Sequence, residues 1–73
     1  MPRLHVLSAN QVCKILQKSG FVAVRQTGSH IIMQRDLPDR TITVPVPNHS
    51  EIARGTLKSI IQQSELPRLG FMT

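Results

Sequence analysis

Residues 21–47 read FVAVRQTGSHIIMQRDLPDRTITVPVP. Three short runs within it, Phe21–Gln26, Ser29–Arg35 and Thr41–Val46, are rich in β-branched and apolar residues and each reads as a strand. In the third run Ile42, Val44 and Val46 alternate with Thr41, Thr43 and Pro45, the period of a strand with one buried face. The breaks between runs are short. Thr27-Gly28 fits a tight hairpin turn, and Asp36-Leu37-Pro38-Asp39 supplies the Asp and Pro of a second turn. Strands joined this closely pair antiparallel with their sequence neighbours, so the stretch predicts a three-stranded meander. Pro45 and Pro47 have no N–H for a ladder, so the third strand must end there or lie at an edge.

Helices flank the meander. Ser8 precedes a helix predicted over Ala9–Lys18, and Gln11 stands three residues after it, the spacing of a capping box. Ala9, Val12, Ile15 and Leu16 form one apolar stripe. Lys18 suits the C-terminal end of the dipole, and Gly20 suits a left-handed stop. The second helix begins within Ser50–Gly55 and runs to about Ser64, with Leu57, Ile60 and Ile61 as its stripe. Gly55 disfavours a helix interior, so the firm start is placed near Gly55-Thr56. Pro67 ends the helix, and Leu69 and Phe71 are expected to fold back as an apolar latch. The order is α-β-β-β-α, an α+β fold. A sheet this small must cover one face, and two amphipathic helices on that same face do so. The layout is that of a double-stranded RNA-binding domain, with the other sheet face open.

Composition narrows the chemistry. The chain has 73 residues, room for one domain spanning residues 1–73. Nine Lys and Arg against four Asp and Glu give +5 at pH 7, which points to an anionic partner such as nucleic acid. The four acids do not form the ligand-rich pairs that carboxylate glycosidases or two-metal phosphodiesterases require, so no metal and no cofactor is expected. One cysteine, Cys13, excludes an internal disulfide and a thiolate zinc site. No apolar run approaches the length of a membrane span, and the first residues lack a signal-like apolar core; a cytoplasmic location is the expectation.

Catalysis, if present, then rests on histidines, basic residues or backbone donors. Gly28-Ser29-His30 is the most informative tripeptide. Gly28 permits a sharp turn or close ligand approach, and His30 starts the second strand, where its ring can project from the open face. Imidazole suits proton transfer near neutral pH. In RNA cleavage such a base takes the proton of a 2′-hydroxyl, which attacks the adjacent phosphorus. The bland alternative is a strand-start histidine bonded to its turn. His49, in Val44-Pro45-Val46-Pro47-Asn48-His49, can reach the same surface, as acid or phosphate contact; alternatively it belongs to a loop in which Asn48 or Ser50 caps the last helix. His5 reads as a solvated terminal residue. Arg25, Arg35, Arg40, Arg54 and Lys58, with Lys14 and Lys18, are candidates for a phosphate track, against the plainer reading of a solvated basic surface. No Trp or Tyr and only two Phe argue against stacking platforms for single strands, and Phe21 and Phe71 read as core. Cys13 reads as a small buried hydrophobe.

The chain resembles the HicA-type (YcfA-like) toxins of bacterial toxin–antitoxin pairs. The resemblance runs from about Leu7 to Phe71. It rests on Ser19-Gly20-Phe21, then Arg25-Gln26-Thr27-Gly28-Ser29-His30, then Thr43-Val44-Pro45 and Asn48-His49, then Gly55-Thr56-Leu57-Lys58-Ser59-Ile60-Ile61. It implies a double-stranded RNA-binding-domain-like fold and a ribosome-independent, metal-independent endoribonuclease acting on mRNA. The catalytic histidine it implies is His30. Gly28, Ser29 and His49 join the basic residues as RNA contacts. It also implies a HicB-type antitoxin that binds the toxin and covers the histidine. One departure is that the usual Ala-Gly ending of the last helix is Ser64-Glu65 here. Two other readings use the same features: a non-catalytic module that recognises duplex RNA by shape, and an inactive HicA-like protein that only binds its antitoxin.

Overall fold

Ser8 opens helix α1, Ala9–Lys18, by the predicted reciprocal contacts. Its hydroxyl accepts from the Gln11 N–H at 3.2 Å, and its own N–H donates to Gln11 Oε1 at 2.9 Å. The Ala9 N–H, which no intrahelical carbonyl can satisfy, donates instead to the His49 carbonyl at 3.0 Å. At the other end Gly20 takes φ 99°, its N–H bonds Gln17 O, and the Phe21 N–H bonds Leu16 O. This pair of bonds is the Schellman motif, and its apolar partners, Phe21 and Leu16, are both buried. Phe21 therefore belongs to the helix stop. That is why the first strand starts one residue later than the composition suggested.

The computed structural model describes residues 6–67 and Phe71. Its strands are β1 (Val22–Thr27), β2 (His30–Asp36) and β3 (Thr41–Pro47), in the order β1-β2-β3, each pair antiparallel. Helix α2 covers Arg54–Ser64. The fold is the expected α+β meander, with both helices on one face. Met33, Ile42, Val44 and Val46 from that face join Val12 and Leu16 of α1 and Leu57, Ile60 and Ile61 of α2 in one buried cluster. Phe71 is fully buried there, the latch that the tail was expected to supply; Leu69 and His5 lie outside the described residues.

β3 does not end at Pro45 but runs through Pro47. The Asn48 N–H points to β2, donating to Ser29 O, so alternate residues back along β3 (Val46, Val44, Ile42) face β2 as well. Pro45 and Pro47 then lie at the outward positions of an edge strand, where no ladder bond is lost and further pairing is discouraged. α2 starts at Arg54, within the expected Ser50–Gly55 window and one residue before the firm start placed at Gly55-Thr56, with Ala53 as its N-cap and no side-chain cap bond. Neither Asn48 nor Ser50 caps it, contrary to one expectation. The segment before α2 is tied instead to the segment before α1, through the Ile52 N–H bond to Leu7 O at 2.8 Å.

Candidate functional site

The β1–β2 turn organises the candidate site. Thr27 pairs with His30, leaving Gly28 and Ser29 as the two central residues. Gly28 has φ 53° whereas Ser29 stays out of the positive-φ region, the pattern of a type II′ hairpin. A Cβ at Gly28 would meet nothing within 4 Å, so the backbone conformation, not space, selects glycine there. The composition had put the break at Thr27-Gly28; the two-residue spacing between the Thr27–His30 partners shifts it by one.

Register decides which face His30 occupies. Residues directly opposite share a face, and faces alternate along a strand. Met33 is buried under the helices opposite Val44, so His30, three positions away, lies on the open face, flanked by Thr27 on β1 and Pro47 on β3. It is exposed. Ile32, Gln34 and Asp36 continue along the same face. Thr27, which the sequence marked only as part of the turn and not as a site residue, is thus the direct cross-strand partner of His30 on β1.

The β3–α2 connection closes this end of the sheet. The Asn48 N–H donates to Ser29 O at 2.6 Å, which extends the β2–β3 ladder one step past His30. The next residue, His49, holds the α1 N-terminus by its carbonyl while its side chain is exposed. Gly28, Ser29, His30, Asn48 and His49 therefore gather at one end of the molecule, as the two sequence segments suggested.

Arg25 joins them by ordinary alternation from the hairpin. Thr27 pairs with His30, Gln26 with Ile31 and Arg25 with Ile32, so Arg25 shares the open face with Thr27 and is diagonal to His30. The ladder is irregular only beyond it, where Ala23 pairs with Met33 and Val24 is an extra residue in β1. Diagonal neighbours of an antiparallel pair are about 7–8 Å apart at the backbone, within reach of a long side chain.

A family model described as the HicA toxin of bacterial toxin–antitoxin systems matches residues 9–66. The chain belongs to the HicA toxin family. No curated protein matches it. The match runs from the start of α1 to just past α2, so it takes in both helices, the meander and the Gly28–His30 turn. A toxin of such a pair has a cognate antitoxin as its partner.

Among the described residues the remaining cations of this HicA toxin do not converge on His30. Arg35 pairs with the buried Ile42 and so lies on the helix side, with its side chain over Gly20 at the α1 stop; a Cβ at Gly20 would sit 3.5 Å from Arg35 Nε. Arg40 is at the far turn. It donates to Asp39 Oδ2 at 3.0 Å and is also paired with Glu65 just beyond α2. These acids, the Glu65 hydrogen bond first, hold the Arg40 guanidinium pKa above its ordinary value. Five residue steps along β2 separate His30 from Arg35, roughly 17 Å of strand. Lys14, Lys18, Arg54 and Lys58 are exposed on the helices, in the layer beneath the sheet. Among the described residues no three of His, Cys, Asp and Glu are grouped to hold a metal ion. Nor is any described helix long and apolar enough to cross a membrane. Cys13 is buried in the core, and burial pushes its thiol above the ordinary 9.0.

Proposed function

We propose that this HicA toxin is an endoribonuclease that cleaves mRNA by base catalysis at His30, acting in the cytoplasm as a single toxin domain. The observation that carries the reading is the exposed His30 on the open sheet face, next to the Gly28-Ser29 turn with its sharply bent backbone. An RNA strand laid across that face can bring a ribose 2′-hydroxyl to the imidazole. His30 accepts the hydroxyl proton as the 2′-oxygen attacks the adjacent phosphorus. The bond from phosphorus to the 5′-oxygen breaks, and the leaving oxygen takes a proton from water. The imidazolium then returns its proton to solvent. The products are a 2′,3′-cyclic phosphate and a 5′-hydroxyl end, with no redox change. Gly28, Ser29 and His49 line the same end and contact the RNA backbone, and Arg54 and Lys58 extend the basic surface on the helix side. The HicB-type antitoxin binds over the His30 face and blocks it.

The test is cleavage of a defined transcript, together with growth arrest on expression, for wild type and His30→Ala. One general base contributes about 10²–10⁴-fold, so the substitution should remove cleavage to that extent and abolish toxicity. Equal cleavage by the two proteins would overturn the role of His30. RNA binding without any cut by wild type would favour a duplex-binding module instead.

A further inference from the structure

Metal-free attack at phosphorus builds negative charge on the two non-bridging oxygens, and a lone imidazole does nothing to stabilise it. A donor aimed at those oxygens is worth more than the base in many sites of this kind. From the placement of the cations we infer that Arg25 is a second catalytic residue, holding the scissile phosphate and stabilising its transition-state charge beside His30. The inference rests on the ribonuclease reading above and adds to it.

Three observations carry it. First, among the described residues Arg25 is the one Lys or Arg that the register places on the open sheet face; the others lie on the helices, under them, or at the far turn. Second, the unbroken pairing Thr27–His30, Gln26–Ile31 and Arg25–Ile32 holds it on His30's face, two residues from the hairpin turn, and the ladder first becomes irregular beyond it, at Val24. Third, Arg25 is exposed and, among the described residues, forms no ion pair, unlike Arg40 with its two acids. Its guanidinium is available to an incoming anion. A planar fork of N–H donors can address both non-bridging oxygens of one phosphate at once, which a lysine cannot. Ile32, half-buried, lies directly opposite Arg25 and two residues from His30 on the same face.

The test uses the full-length chain and a short RNA spanning a cut site mapped with the wild type. Arg25→Ala should lower kcat about 10²–10³-fold, the size seen when one transition-state donor is removed, with KM changed only several-fold. Arg25→Lys should recover part of the rate. Guanidinium added in solution should speed Arg25→Ala and leave His30→Ala unaffected, a rescue that a structural role would not give. Arg25→Ala with wild-type kcat and raised KM would overturn the inference and reduce Arg25 to a tether, while inactive His30→Ala would still uphold the base. A wild type that cuts no RNA would overturn both. Since Arg25 is exposed, matching circular dichroism of wild type and variants is expected, and Arg25→Lys keeps the test informative if Arg25→Ala misfolds.

Discussion

Cys13 shows how far a single position can be read from the chain and where the structure adds to it. One thiol without a partner reads as a buried hydrophobe, and it is one, packed on the core side of α1. Burial disfavours the thiolate and raises the folded-state pKa above 9.0. The sign follows by linkage. Below the unfolded pKa both states keep the proton and the contribution is intact. Above it the unfolded chain releases its proton first, so stability falls until pH passes the folded pKa. Denaturant midpoints measured from pH 7 to 10 should therefore decline more steeply for wild type than for Cys13→Ala. The chain has no Tyr, and lysine titration is common to both proteins, so the difference isolates the thiol. Parallel curves would show that Cys13 is not desolvated. His30 is the converse case. Its type and its place at a strand start were legible, but its face was not, because a one-residue slip reverses every side chain. The Thr27–His30 pairing and the buried Met33 fixed it.

At the scale of elements, α1 was readable to the residue because both of its ends are local chemistry: Ser8 with Gln11 at one end, Gly20 with Phe21 at the other. The β1 bulge was not readable, since nothing in Val22-Ala23-Val24-Arg25 distinguishes an extra residue from regular alternation. It is set by two distant anchors, the Schellman stop at Phe21 and the hairpin at Gly28. The firm start of α2 fell one residue late, though Arg54 lies within the expected Ser50–Gly55 window, because Gly55 argues against a helix interior, whereas in the first turn its missing side chain costs little. The end of α2 carries a testable strain. Glu65 occupies the left-handed region at φ 60°. A non-glycine residue there costs about 1–2 kcal/mol. Ser64, fully buried, steadies the turn by donating to Ile61 O at 2.7 Å and accepting from the Leu66 N–H. Glu65 also pairs with Arg40, but that pair is exposed and exposed pairs contribute little. Glu65→Gly should therefore stabilise the fold by about 1 kcal/mol, a melting-temperature rise of roughly 4–8 °C for a domain of this size. A lowered melting temperature would mean that the Arg40 pair outweighs the backbone strain.

Over the whole molecule, the +5 charge counted along the chain overstates what any one surface offers. The fold divides the cations between layers. Arg25 lies on the open face, Arg54 and Lys58 on α2, Arg35 beneath the sheet against Gly20, and Arg40 between two acids at the far turn. Composition cannot make this division, because pairing register and turn position decide it. The salt dependence of RNA binding resolves it. Each cation that neutralises a phosphate of a single strand contributes about −0.7 to the slope of log K against log[salt]. Measured in the non-cleaving His30→Ala background, Arg25→Ala should make that slope shallower by about 0.7 and weaken binding at every salt concentration. Arg40→Ala should leave the slope unchanged, because its guanidinium is already held by Asp39 and Glu65. If Arg40→Ala lowered the slope as much as Arg25→Ala, the RNA would have to run along the whole sheet to the far turn and break those ion pairs. The compact site at the His30 end would then be the wrong description of how this toxin holds its substrate.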